Sequence, residues 1–250
     1  MYSLFMTKKL NSSQLKLIAI IAMTIDHLTW LCWPGYNPSW WVYCLHIIGR
    51  LTAPIMWFFI AEGAHYTHDR KKYALRILAF ALVSHFAYCF AFGIPYFSLE
   101  AGVLNRTSVL WSLFLAICVI TVAESEKINK KIATLLVFLL VALGLPSDWS
   151  CIAVVAPFYL YVHRGNIKKQ AIDILLWSSV YGLVYFFAMD KLYGVLQLFT
   201  ILSVPLLALY NGEKGKMVGG KWLFYIYYPL HLFVIGILRI AIHGNIQLLS

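Results

Sequence analysis

The 250-residue sequence is poor in charge and poorer still in acid. Asp, Glu, Lys and Arg make up 12% of it, and only ten residues are acidic. Soluble domains carry about 25% charged residues. A chain that is 62% hydrophobic, with a mean hydropathy of +0.77, cannot hide its apolar surface in a core of this size, so its solvent must be lipid. It lacks the short alternating segments of a membrane barrel. No long linker, repeat, low-complexity tract or soluble domain interrupts it, and residues 1–250 read as a single integral-membrane domain. It has no Gly-x-x-x-x-Gly-Lys-[Ser/Thr] loop, which argues against an ATP-driven pump. The five cysteines (Cys32, Cys44, Cys89, Cys118 and Cys151) lack metal-ligand spacing and read as small core residues, so no metal is expected.

What the sequence does have is long apolar runs separated by short basic clusters. The net charge of +10 would suggest nucleic acid in a soluble protein. Here the bases read as topology signals and contacts to anionic membrane lipids, with no nucleic-acid partner. The expected fold is an all-α polytopic transmembrane bundle. Its apolar runs cover 13–33, 41–64, 73–93, 107–123, 132–146, 149–163, 170–189, 192–210 and 222–242, which gives about nine spans. Runs five and six are short, and either thin the bilayer or form a re-entrant pair around Leu145-Pro146-Ser147-Asp148. With a cytoplasmic N-terminus, 16 of the 20 basic residues fall inside, including Lys8, Lys16 and Lys221. Arg106, Lys191 and Arg239 fall outside, and Arg50 lies within a span. The positive-inside rule holds at every loop, and the C-terminus falls outside. Lys8 and Lys9 before an apolar stretch could mimic a signal peptide, but Asp26 and His27 within that stretch predict a retained first helix. Trp40, Trp41, Trp149 and Trp222 are expected in the interfacial aromatic belt.

Ionisable side chains at mid-bilayer are costly and mark functional sites by default. At 1.5 Å per residue, Asp26, His27, Arg50, His85 and His231 fall at one depth, contributed by four spans. Asp26 is expected to pair with Arg50, or to hold His231 or His85 across the bundle. His27, its chain neighbour, points elsewhere. His46 shares a helix face with Arg50 but lies nearer the outer interface, where a packing role is favoured. Glu62 sits near the cytoplasmic end of the second span, with structural and functional readings level.

Three stretches carry a more specific signal. LKLIAIIAMTIDHL (15–28), IGRLTAPIMWFFIAEGAHYTHDRKKYALRIL (48–78) and FYIYYPLHLFVI (224–235) together resemble the TraX family of membrane acetyltransferases, named for the enzyme that acetylates the amino terminus of conjugative pilin. The shared pieces are the Asp-His pair, Arg-x-x-x-Pro followed by Glu-Gly, and Tyr-Pro-x-His-Leu. The middle of the chain, from about 107 to 215, matches mainly in hydropathy. The segment 102–117 only loosely follows the family's Asn-containing helix entry, which leaves Asn105, Thr107 and Ser108 as weaker substrate-site candidates beside His85 and Glu62.

The resemblance implies a multi-pass acyltransferase of the bacterial inner membrane. It would move an acetyl group from cytoplasmic acetyl-CoA to an amine or hydroxyl acceptor, either a peptide terminus or a glycan. His27 is the expected base or acyl carrier, with His231 the alternative base or an orienting donor. Asp26 would hold a partner's protonation state, and Arg50 would anchor Asp26 or stabilise an oxyanion. Arg70, Lys71, Lys72 and Arg76 would meet the coenzyme phosphates. The rival reading is a proton-coupled transporter using the same cluster as a relay. The bare middle third of the chain, with no second matching half, favours the enzyme.

Overall fold

The computed structural model describes residues 9–97, 103–216 and 222–248; Lys8 and Lys221 lie outside them. It is a bundle of helices: α1 (Ser12–Cys32), α2 (Trp40–Gly49), α3 (Thr52–Tyr66), α4 (Arg70–Phe92), α5 (Val109–Ala123), α6 (Lys130–Ala142), α7 (Ile152–Val162), α8 (Ile167–Ala188), α9 (Lys191–Leu196), α10 (Ser203–Ala208) and α11 (Leu223–His243). A 3₁₀ stretch, Gln197–Leu202, joins α9 to α10. Among the described residues there is no strand, only two isolated bridges, Leu10 with Tyr210 and Thr107 with Ser147. Six segments are long and apolar enough to cross a membrane: α1, α2 with α3, α4, α8, α9 through α10, and α11.

Polar residues set the helix ends. Asn11 and Gln14 close a reciprocal capping box on α1, each accepting from the other's backbone N–H at 3.0 Å. Asp69 caps α4, Asn166 caps α8 and Asp190 caps α9, each accepting from a backbone N–H one turn on. Gly93 ends α4 in the left-handed region at φ 71°, which a side chain would strain, while the Ile94 N–H returns to the Cys89 carbonyl.

Two crossings are broken at the depth where the polar residues lie, and each break has a cause in the sequence. Pro54 has no N–H to offer the Arg50 carbonyl four residues back, so the second crossing gives way at Arg50–Leu51 between α2 and α3. Pro205 does the same to Ile201, within the 3₁₀ stretch. The expected single spans over 41–64 and 192–210 are therefore each composite, and the irregular backbone carries Arg50 in one and Gln197 in the other.

The short helices α6 and α7 are joined by a turn whose tip lies inside the bundle, although α6 itself has no buried residue. The Trp149 ring lies 5.2 Å from that of Trp57 and 5.4 Å from the Arg50 guanidinium. The tip thus reaches the depth of Arg50, about 18 Å from Glu62 by helical rise. This is the re-entrant form of runs five and six. It takes Trp149, 7% exposed, out of the interfacial belt and sets it against Arg50, whereas Trp40 remains 76% exposed. The loop before α5 dips to meet the tip: Arg106 and Thr107 N–H groups donate to the Pro146 carbonyl, and Asp148 N–H donates to that of Thr107 at 2.8 Å. Of the cysteines only Cys89 is buried; Cys32 and Cys44 are exposed, because outward faces of these helices are solvated by lipid rather than packed in a core.

Candidate active site

The site begins where α1 crosses α2. A Cβ on Gly49 would sit 2.3 Å from Asp26 Oδ1, so glycine there lets the two helices close over the carboxylate. Arg50 Nη2 donates to both Asp26 oxygens at 2.9 Å, and His46 Nδ1 donates to Oδ1 at 2.8 Å. Arg50 Nη1 donates to Gln197 Oε1 at 3.0 Å and Nε to the His46 carbonyl at 3.3 Å. A guanidinium has five N–H groups. These bonds occupy four and leave one hydrogen on Nη1 uncommitted. Asp26, His46 and Arg50 are all buried. In so dry a place each partner depends on the others, and removing one costs several kcal/mol.

His27 takes a separate path. Its Nδ1 lies 2.8 Å from His231 Nε2, with the rings coplanar to within 1°. His231 Nδ1 lies 3.0 Å from the Tyr227 carbonyl. A carbonyl oxygen only accepts, so Nδ1 of His231 carries a hydrogen. In the neutral ring Nε2 then accepts, and His27 Nδ1 must be the donor. The bare lone pair of the chain thus falls on His27 Nε2, which has no hydrogen-bond partner among the described residues. This orders the two histidines, which the sequence left interchangeable: His27 is placed to take a proton and His231 to orient it.

Both branches open on one cavity of about 300 Å³. Asp26, His27 and Arg50 lie on its wall with Asn105, Asp148 and Gln197. It runs toward Lys16, Arg76 and Lys214 at the helix ends beside the basic loops, about 16 Å from His27 by the rise of α1. Lys16 Nζ lies over the Phe59 ring at 4.8 Å. At the opposite end, packed rings of Trp30, Tyr36 and Tyr193 cover the site, with centroids 4.9–6.0 Å apart. Burial in this plug pushes the Tyr36 hydroxyl well above the ordinary phenol range.

The other expected residues are placed as follows. His85 is away from the cavity, spanning Thr107 Oγ1 at 3.0 Å and the Tyr96 carbonyl at 2.9 Å, a link between α4 and the dipping loop. His46, expected to be packing, is instead the second donor to Asp26. Glu62 is held by Arg164 at 2.7 Å, near the ends of α3 and α7. Asn105 donates to the Tyr185 hydroxyl at 2.9 Å, whereas Ser108 is buried beside the re-entrant tip, its carbonyl accepting from Ser147. Of the basic loop, only Arg76 reaches the cavity. Arg70 pairs with Glu124 and bonds Tyr161 at 2.8 Å, and Lys72 pairs with Asp69 at the surface. Desolvation raises the Glu124 carboxyl, but hydrogen bonds from Tyr161 and Arg70 outweigh it and hold the group below its usual range. No group of His, Cys, Asp and Glu among the described residues is arranged to hold a metal ion.

The profile of one family, described as TraX protein, matches residues 11–239. The chain belongs to the TraX family. It is also 31% identical over 233 residues, 89% of this chain and 93% of the relative, to the "Probable fimbrial assembly protein FimC, serogroup H1" of Dichelobacter nodosus. No solved structure matches it. The matched stretch of this TraX-family chain contains the whole site, including four residues that sequence reading did not pick out: Lys16, Asp148, Gln197 and Lys214. Gln197 and Asp148 were the hardest to see. One is an uncharged residue in an apolar run and the other looks like a turn residue, and only the broken crossing and the re-entrant tip bring them to Arg50.

Proposed function

We propose that this protein is an integral-membrane acyltransferase of the bacterial inner membrane, moving an acetyl group from cytoplasmic acetyl-CoA to an amine or hydroxyl acceptor. The observation that carries the reading is the partnerless His27 Nε2 on the wall of a cavity with a basic cytoplasmic mouth. The donor fits that space chemically: Lys16, Arg76 and Lys214 would hold its phosphates, and a slender thioester arm would lie between the mouth and His27. The relative named for fimbrial assembly adds a filament subunit's terminus to the acceptors that deserve trial.

In the reaction the acceptor's N or O bonds to the acyl carbon and the carbon–sulfur bond breaks. His27 Nε2 takes the proton from the attacking group and returns it to the departing thiolate. His231 holds the ring through Nδ1, and the Tyr227 carbonyl dipole steadies the imidazolium that forms. The uncommitted Nη1 hydrogen of Arg50 is available to the oxyanion. Asp26, with both oxygens engaged, fixes Arg50 and does not move protons.

Two broken crossings at mid-depth also suit a transporter. The aromatic plug on the outer side weighs against a continuous conduit.

The test uses purified protein with labelled acetyl-CoA and detergent extract of the host membrane, followed by label transfer. His27→Ala should lower transfer at least about 10²-fold, the floor for losing a general base. His231→Gln should lower kcat with little change in the KM for the donor, and Lys16→Met should do the reverse. Transfer that survives His27→Ala removes that residue from the mechanism. Proton uptake by proteoliposomes without consumption of acetyl-CoA would establish the transporter instead.

A further inference from the structure

The described residues contain three non-glycine positions with left-handed backbone: Asn105 (φ 55°), Trp149 (φ 62°) and Ser150 (φ 50°). Each such position costs about 1–3 kcal/mol. They are not scattered. All three lie in the dipping loop and the re-entrant tip, the two irregular segments zipped together by the Thr107–Ser147 bridge. Serines hold this joint: Ser112 Oγ donates to the Ser150 carbonyl at 3.0 Å, and Ser147 Oγ donates to that of Ser108 at 3.1 Å. Strain maintained by this many bonds brings Asn105, Asp148 and Trp149 to the cavity, and of the three only Asp148 carries a carboxyl group.

Asp148 differs from Asp26 in what surrounds it. The Asp26 oxygens are engaged by Arg50 and His46. The Asp148 carboxylate has no cation within salt-bridge distance among the described residues, and its hydrogen bond comes from a backbone group, the Trp149 N–H, rather than from a side chain. Arg50 acts on it only electrostatically. Tyr88, Tyr181, Tyr185 and Tyr228 surround the same stretch of wall and interact with its charge. One guanidinium therefore faces two carboxyl groups and is hydrogen-bonded to only one of them, Asp26. A carboxylate exposed to a cavity, unpaired and backed by aromatic rings, is built to receive a proton-bearing group.

We propose that Asp148 is the acceptor-binding residue: its carboxylate takes a hydrogen bond from the incoming amine or hydroxyl and holds that group in the cavity it shares with His27. This rests on the acyltransferase reading. It assigns the acceptor to the floor formed by the re-entrant tip and the donor arm to the α1 side. A protonated amine would pair with this carboxylate and, before it attacks, pass one proton to it for release to solvent, leaving the second for His27, so an amine should feel the loss of Asp148 more than a hydroxyl.

The experiment compares the wild-type protein, Asp148→Asn and Asp148→Glu, each in detergent. Binding of acetyl-CoA alone is measured by calorimetry, and transfer is measured to a short peptide with a free amino terminus and to its α-hydroxy counterpart. Asp148→Asn should bind acetyl-CoA within about twofold of wild type and unfold at the same temperature. Its KM for the peptide should rise at least about tenfold, equivalent to ~1.4 kcal/mol, and less for the hydroxy analogue. Asp148→Glu should recover part of the loss. An Asp148→Asn protein with unchanged acceptor KM overturns the assignment and leaves the acyltransferase intact. So does one that loses donor binding and thermal stability together, since that marks a structural residue. A wild-type protein that neither binds acetyl-CoA nor transfers to either probe sinks the acyltransferase reading, and this assignment with it.

Discussion

Two groups of ion pairs, one at mid-depth and one at the helix ends beside the basic loops, use the same chemistry and reach different outcomes. At the helix ends, Glu62 meets Arg164, Glu124 meets Arg70, and tyrosine hydroxyls complete both pairs. Glu124 is 45% exposed at its side chain and Arg164 30%, so water shares the load. At mid-depth, Asp26, Arg50, His46 and Gln197 bond one another directly, and the side chains of Asp26 and Arg50 are each 11% exposed. The helix-end group ties α3 to the end of α7, and α4 to the end of α5. The inner group leaves a surplus aimed at one cavity: a lone pair on His27, a hydrogen on Arg50 and a carboxylate on Asp148. The ion pair itself does not mark a site, since both regions have one. What marks the site is unspent hydrogen-bonding capacity facing one cavity, around a carboxylate, Asp26, whose two oxygens are both engaged.

If that contrast is right, the largest penalty belongs to the inner pair. Arg50→Met should cost about 3–5 kcal/mol of stability, because Asp26 is left buried with only His46. Adding Asp26→Asn should recover much of that loss, because a neutral amide no longer needs the guanidinium. Unfolding of the two single variants and the double variant in detergent gives the coupling directly. Losses that simply add would show that the two groups do not depend on each other, and the contrast with the helix-end pairs would go.

A smaller effect tests the closeness of α1 and α2. Gly49→Ala places a methyl group 2.3 Å from Asp26 Oδ1, well inside van der Waals contact. Overpacking of this kind costs about 1–3 kcal/mol. The added strain should also turn Asp26 away from His46 and lower acetyl transfer. A variant as stable and as active as wild type would mean that the carboxylate has room to move.

Much of this inner region was legible in the sequence, and the reason is the cost of charge in lipid. Asp26, His27, Arg50 and His231 are conspicuous because an apolar run cannot hold them without partners, and helical rise alone sets them at one depth. His85 shares that depth and does not join them, because depth fixes height but not which way a side chain faces on its helix. For His46 height suggested the interface, but it lies one turn before Arg50 on the same face and so meets Asp26 as Arg50 does, where the bare Gly49 lets α1 come close. Asp148 was out of reach because a turn residue between two short apolar runs looks solvent-facing until those runs are seen to fold back. The basic loop at 70–76 was read as one cluster, yet Glu124 and Asp69 claim Arg70 and Lys72, and Arg76 alone faces the cavity.

The smallest expected effect lies in that loop and sharpens the contrast from its other side. Arg70→Ala removes the Glu124 pair and a hydrogen bond to Tyr161, both at a wet boundary. Exposed pairs are worth about 0–1 kcal/mol, and salt screens them further. The loss of stability should therefore stay under about 1 kcal/mol and shrink as ionic strength rises, whereas the Arg50→Met loss should hardly respond to salt. Donor binding should be unchanged by Arg70→Ala, since Arg70 is turned from the cavity toward Glu124. A rise in donor KM comparable to that of Lys16→Met would instead place Arg70 at the coenzyme mouth, with Glu124 released when the donor arrives.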